Sequence, residues 1–148
     1  MINITVQDQQ VTDYLNRLLH QLGDLSPAMA GIATELGAAV SGRFETKTDP
    51  AGNAWAAWKP STEQNYPAAG NRTLLDRYGD MLDSLNSSAT ADTATIGFGV
   101  PYAAYHEWGT EHMARRGLLS ADPDAGTLGA EDTQRVLDIL TRLLNPAA

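Results

Sequence analysis

The sequence contains no cysteine. Disulfides, thiolate zinc sites, iron–sulfur clusters and cysteine nucleophiles are therefore excluded together. Positive charge is scarce too. Ten Lys and Arg stand against 18 Asp and Glu, a formal net charge of −8. Affinity for nucleic acid comes from Lys and Arg neutralising phosphates, so a protein whose main task is gripping DNA or RNA is disfavoured. Long apolar runs are missing, and no window approaches the ~20 residues that a membrane-spanning helix needs. Met1 to Val6 has neither a basic stretch nor an apolar core, and Asp8 follows at once. The expectation is a soluble chain without an export signal. Catalytic signatures are absent as well. There is no Gly-x-Ser-x-Gly elbow, and Gly97-Phe98-Gly99 lacks the third glycine of a dinucleotide loop.

What is present reads as a folded domain. The 148 residues lie near the usual size of a single domain, and 43% hydrophobic against 19% charged residues suits a packed core. Met1-Ile2-Asn3-Ile4-Thr5-Val6 alternates and is β-branched, which predicts a short strand with Ile2, Ile4 and Val6 on one face. From Asp8 the period changes. Val11, Tyr14, Leu15, Leu18, Leu19 and Leu22 predict a helix over 8–22, closed by Gly23. A second helix is predicted with Ser26 as N-cap and Pro27 in its first turn, reaching about Thr46. Its small residues, Gly31, Gly37 and Gly42 among them, imply close approach, either within the fold or to another subunit.

Residues 47–73 form a long arm without helical or strand period, opened by the turn Asp49-Pro50-Ala51-Gly52-Asn53. A connection this long is usually functional or disordered, and Trp55 and Trp58 argue against disorder. Two readings stand: a lid packed back on the helices, or an arm docking on another protein through its tryptophans. A short helical stripe follows at Leu74, Leu75, Tyr78, Met81, Leu82 and Leu85. Strands are predicted over 84–91 and 94–99, then a helical turn from Pro101 to Trp108 ended by Gly109. A further strand is expected over 115–121, and a last helix over 131–144 with Val136, Leu137, Leu140, Leu143 and Leu144 inward. Helices first, then strands, then a helix predict an α+β fold with a small, mostly antiparallel sheet.

Candidate chemistry is thin. His106 and His112 with Glu107 invite comparison with a zinc-protease helix, but i, i+6 spacing turns two helical side chains to opposed sides and Gly109 interrupts them. A small metal-dependent hydrolase using His106, Glu107 and His112 is the competing class. Asp80 and Asp83 read as a solvated face, and His20 as a surface or half-buried residue. Arg115-Arg116 is the only adjacent basic pair. It fits an exposed edge strand or a clamp on a neighbour's carboxylates.

Four stretches together resemble the virion morphogenesis, or tail-completion, proteins of Mu-like and related tailed bacteriophages. They are Phe44 to Trp58 with Asp49-Pro50-x-Gly52-Asn53-x-Trp55, continued by Lys59-Pro60-Ser61-Thr62, and Leu74-Leu75-Asp76-x-x-Gly79-x-Met81-Leu82-x-Ser84-Leu85. The others are Ile96-Gly97 with Pro101-Tyr102-Ala103-Ala104-Tyr105-His106-Glu107-Trp108-Gly109, and Met113-Ala114-Arg115-Arg116-Gly117-Leu118-Leu119. The family usually carries a proline beside the Ala-Arg, and this chain has none there. The resemblance implies a structural virion protein with no catalytic residues and no cofactor, a homo-oligomeric, six-fold ring at the head–tail junction. It implies contact with a head connector or portal-side neck protein and with a tail tube or terminator protein, after assembly in the host cytoplasm. Double-stranded DNA is implied only as a transient passenger, with no membrane. A tail-tube terminator ring is the variant within that reading, and an interaction module of a prophage remnant the blander one. Trp55, Trp58, Arg115 and Arg116 are the expected subunit or partner contacts.

Overall fold

The computed structural model describes residue 6, residues 8–65, residue 68 and residues 79–145. The predicted strand over 1–6, apart from Val6, lies outside the described residues. So do Leu74, Leu75 and Tyr78 of the predicted stripe and the arm residues 66, 67 and 69–73.

Helix α1 (Gln9–Leu22) starts at Asp8, whose carboxylate accepts the Val11 N–H at 3.0 Å, and ends at Gly23 in the left-handed region. Its apolar stripe is narrower than the periodicity implies: Leu18 is buried, whereas Leu19 and Leu22 are exposed. Helix α2 (Ser26–Thr46) is the organising element. Ser26 is not its N-cap. It is already helical behind Leu25, and its N–H is taken by the Asp24 carboxylate at 3.0 Å. That backbone bond first, and the Ser26 side chain second, hold the Asp24 carboxyl below its usual range. Short helices α3 (Pro60–Asn65) and α4 (Asp80–Asp83) precede β1 (Leu85–Ala89) and β2 (Ala94–Phe98). Helix α5 (Ala103–Trp108) and the terminal α6 (Ala130–Leu144) complete the set.

The strands form an antiparallel pair with Leu85 opposite Phe98, Ser87 opposite Ile96 and Ala89 opposite Ala94. Period-2 alternation puts Ala94, Ile96 and Phe98 on one face, and these residues pack with the apolar side chains of α2. Both halves of that helix's buried stripe are thus committed. Its first half joins Leu18 of α1 and Val136, Ile139 and Leu140 of α6 in one cluster. Its second half, through Val40 and Phe44, joins Trp55, Met81, Phe98, Ala103 and Leu118 in another. Two of the α2 glycines serve contacts inside the subunit. A Cβ on Gly31 would meet Ile139 of α6 at 3.2 Å, and one on Gly37 would meet Ser87 of β1 at 3.2 Å. Gly42 has nothing within 4 Å.

Two expectations change. The predicted strand over 115–121 is not formed; the sheet, among the described residues, has two strands. The described part of the arm is also not structureless: α3 lies in the stretch expected to have no helical period. Asp49 gathers the Ala51 and Asn53 N–H groups on its carboxylate, and Thr48 bridges Ala54. This tight turn, together with the Trp55 N–H donated to the Lys47 carbonyl at 2.8 Å, folds the chain back. Trp55 is buried edge-on to Phe44, with ring centroids 5.8 Å apart.

Candidate functional site

The most concentrated polar chemistry lies where α5 meets residues 115–120. Within α5, Ala103 and Glu107 are i, i+4 and both buried, while Tyr105 and Trp108, and Tyr102 at its N-cap, remain exposed. Gly109 ends the helix with its N–H on the Tyr105 carbonyl at 2.9 Å. The chain reverses through a bridge between Thr110 and Met113 and then runs across the end of the Glu107 side chain.

Glu107 is 1% exposed. Its Oε2 accepts the backbone N–H of Leu118 at 2.7 Å and of Leu119 at 2.9 Å. Its Oε1 accepts the Ser120 N–H at 3.0 Å, the Ser120 hydroxyl at 2.6 Å and the Arg115 guanidinium at 3.3 Å. This arrangement explains the missing strand. A strand ladder needs partner carbonyls for its N–H groups. Here successive N–H groups converge on a single charged acceptor instead, and bonds to a charged acceptor are the stronger kind.

The carbonyls of the same segment are met from other elements. Trp55 Nε1 donates to the Gly117 oxygen at 3.0 Å, and Arg43 of α2 donates to the Leu118 oxygen at 2.8 Å. Arg115 closes the loop on itself, donating to the Glu107 carbonyl at 2.6 Å and the Ser120 carbonyl at 2.7 Å. Arg43 also pairs with Asp132 of α6, both buried, and Asp132 binds Arg135 at 2.8 Å. The loop is therefore fixed by a polar network that crosses from α5 through α2 to α6. Buried polar groups of this kind rigidify a structure when every member is satisfied.

Each of the expected contact residues has partners within its own subunit. Trp55 is consumed by its own core, which is the lid reading for that side chain. Trp58 is half-buried and engaged within the chain. Arg115 clamps Glu107 and Ser120, and Arg116 donates to the Ala56 carbonyl at 2.8 Å and the Ala57 carbonyl at 3.0 Å. Neither arginine lies on an edge strand. Both guanidinium forks hold segments of their own subunit, Arg115 fastening the loop to α5 and Arg116 joining the arm to the loop. Lys59 adds a third tie, donating to the His112 carbonyl at 3.0 Å.

The metal constellation does not assemble. Both oxygens of Glu107 are occupied by donors, and His112 is exposed while His106 is half-buried. Among the described residues no three His, Asp or Glu side chains are grouped to hold a metal ion. The His106 Nδ1 is buried with no hydrogen-bond partner among the described residues. Burial first, and the Arg116 charge second, push its imidazole below the usual 6.5. Asp80, Asp83 and His20 are exposed, as a solvated surface requires.

Arg43 and Asp132 were not among the residues expected to matter. A signal for each exists in the sequence. Arg43 lies three residues after Val40 and seven after Leu36, on the apolar stripe of α2. Asp132 lies four before Val136 and eight before Leu140, on that of α6. A charge on a buried stripe calls for a buried partner of opposite sign.

The phage virion morphogenesis family matches this chain over residues 6–145. The Mu-like prophage FluMu G protein 2 of Haemophilus influenzae is 30% identical over 125 residues, covering 83% of this chain and 80% of that protein. The putative capsid assembly protein G of Escherichia phage Mu is 32% identical over 110 residues, covering 70% of this chain and 69% of that protein. No solved structure matches the chain significantly.

Proposed function

Because the chain belongs to the phage virion morphogenesis family, we propose that it is a non-catalytic structural subunit completing the tail or neck of a tailed bacteriophage. Its working form in this proposal is a homo-oligomeric, six-fold ring at the head–tail junction, assembled in the host cytoplasm and carried in the virion. The observation that carries the reading is the family match spanning residues 6–145. A relative in phage Mu bears the name of a putative capsid assembly protein, which points the same way.

Two physical features support it. The site geometry favours structure over catalysis: the most buried carboxylates, Glu107 and Asp132, are tied up by backbone N–H groups and arginines. The charge suits a conduit. Each subunit brings −8, and a lumen that does not neutralise phosphates lets DNA pass without holding it. Screening confines each charge to about 8 Å at physiological salt, so only carboxylates facing the lumen act. Exposed Tyr105 and Trp108 on α5, with Tyr102 at its N-cap, offer the aromatic surface that contacts between like subunits favour.

In this reading the ring meets a head connector or portal-side neck protein on one side and a tail tube or terminator protein on the other. Cryo-electron microscopy of the virion tests it. Ring density at the head–tail junction into which the α2–β1–β2 unit fits is the expected result. Density only at the tail-tube end would replace neck completion with tail-tube capping. Absence of the chain from the virion would overturn the structural role.

A further inference from the structure

The exposed aromatic rings among the described residues gather on one helix face. Tyr102, Tyr105 and Trp108 follow i, i+3, i+6 spacing, away from the buried Ala103 and Glu107, and Tyr105 is 58% exposed. The rim of that face is acidic. The Trp108 indole N–H donates to the Asp124 carboxylate at 2.9 Å, and Asp124, Asp122 and Glu111 are exposed. Lys59, the cation tied to this end, is spent on the His112 carbonyl at 3.0 Å.

The chemistry at the other end of α2 is inverted. Asn16, Arg17, His20 and Gln21 of α1 line a surface groove with Leu144 and Asn145 at the end of α6. No carboxylate is in that lining. Asp13 and Asp24, the acids nearest in sequence, are engaged by the Gln9 amide at 2.8 Å and the Ser26 N–H at 3.0 Å. Arg17 is exposed, and one face of its guanidinium lies over the Tyr14 ring, 4.8 Å from the centroid. The other face carries no ring among the described residues. The ends are well separated. Asp132, in the first turn of α6, pairs with Arg43, which holds Leu118 beside α5, while Leu144 in the last turn accepts the Gln21 amide. Asp132 and Leu144 are twelve helical steps apart, about 18 Å.

We infer that the α5 face of one subunit docks into the α1–α6 groove of a second copy, a head-to-tail contact. The inference rests on the ring proposed above. Contacts between two different surfaces repeat from copy to copy and close into a ring when the rotation permits. Self-pairing is opposed on both sides. Two α5 faces would set Glu111, Asp122 and Asp124 against their own copies, and two grooves would set Arg17 against Arg17. In the cross-pairing, a Tyr105 or Trp108 ring meets the free face of the Arg17 guanidinium. The carboxylate rim then meets the donors of the groove.

Sedimentation velocity of the full chain over a concentration series tests the contact. The parent is expected to self-associate. Arg17→Glu and Tyr105→Arg should each weaken association by about tenfold or more. Both positions are exposed, so Tm should stay within about 2 °C of the parent. Mixing the two variants should restore association, because the intact groove of the Tyr105→Arg chain takes the intact α5 face of the Arg17→Glu chain. Either variant associating as the parent does would overturn the proposal. So would two weakened variants that stay apart on mixing, or a parent still monomeric at about 1 mM. The ring is judged separately by the virion map: ring density with α5 turned away from the neighbour's α1 ends this contact and leaves the ring reading standing.

Discussion

Glu107 and Leu118 are joined by a 2.7 Å bond from backbone N–H to carboxylate, buried, between a helix and a segment that never becomes a strand. The neighbouring Leu119 and Ser120 N–H groups share the same carboxylate. One side chain therefore replaces a strand partner for three consecutive residues. The consequence for stability is asymmetric, because removing the acceptor leaves buried donors unpaired.

Replacing Glu107 by Gln keeps the shape but turns an amide NH2 toward N–H donors that need an acceptor. The expected cost is on the order of 3 kcal/mol, a fall in Tm of roughly 10 °C for a domain this size. Thermal unfolding followed by circular dichroism measures it. A Gln variant as stable as the parent would mean that the loop finds its acceptors elsewhere.

Arg43 and Asp132 form the second buried charge pair, and Arg43 also holds the Leu118 carbonyl. Arg43→Met alone leaves Asp132 with only Arg135 as a cationic partner, and should cost about 3–5 kcal/mol. Asp132→Asn alone leaves the guanidinium uncompensated. Together the two changes should cost less than their sum by at least about 1 kcal/mol, since each single change strands the other's charge. Urea denaturation of the four proteins in this cycle gives the coupling. Strict additivity would show that the pair contributes no mutual stabilisation.

Two glycines separate close approach from mere flexibility. A Cβ on Gly129 would lie 1.9 Å from the Pro50 carbonyl oxygen, a backbone atom that cannot swing aside. Gly129→Ala should force the arm's turn away from the start of α6, costing roughly 2 kcal/mol or more. Gly42 is interior to α2 with nothing within 4 Å of the same position. Gly42→Ala should stabilise by about 0.5–1 kcal/mol through helix propensity. Opposite signs of the Tm change are the expected readout. Destabilisation by both would show that Gly42 needs its small size too.

Helices α1, α2, α5 and α6 were legible because their signals are local, whereas α3, inside the arm read as aperiodic, was not. Asp8, Gly23 and the 3.6-residue period fix α1 to within a residue of its observed span, and Pro101 with Gly109 brackets α5. The hairpin was legible for the same reason, its two strands being close in sequence. Residues 115–121 misled, because Leu118 and Leu119 read as strand while the partner of their N–H groups is a Glu side chain eleven residues away. No period encodes that. Trp55 was ambiguous for a similar reason. A tryptophan in an aperiodic arm carries no sign of whether its ring turns inward, and the turn at Asp49 that returns it to Phe44 is a tertiary outcome. The Arg115-Arg116 pair shows the limit most plainly: charge suggests a carboxylate partner, and Arg115 has one in Glu107, but the carbonyls of Ala56, Ala57, Glu107 and Ser120 that the two also hold are backbone groups that every residue carries.

His106 provides a pH test with a definite sign. Burial, and then the Arg116 charge, lower its folded pKa below 6.5, so the fold holds the neutral imidazole. Above about pH 6.5 both folded and unfolded chains carry it neutral, and the residue contributes no pH dependence. As pH falls through 6.5 the unfolded chain binds a proton that the folded chain does not yet accept. Stability then falls with falling pH, levelling once the lower folded pKa is passed. His106→Gln removes this term without adding charge. The drop in Tm between about pH 7.5 and about pH 5.5 should be smaller by a few degrees in the variant than in the parent. Identical drops in the two proteins would assign the acid response to other groups than the half-buried His106 imidazole.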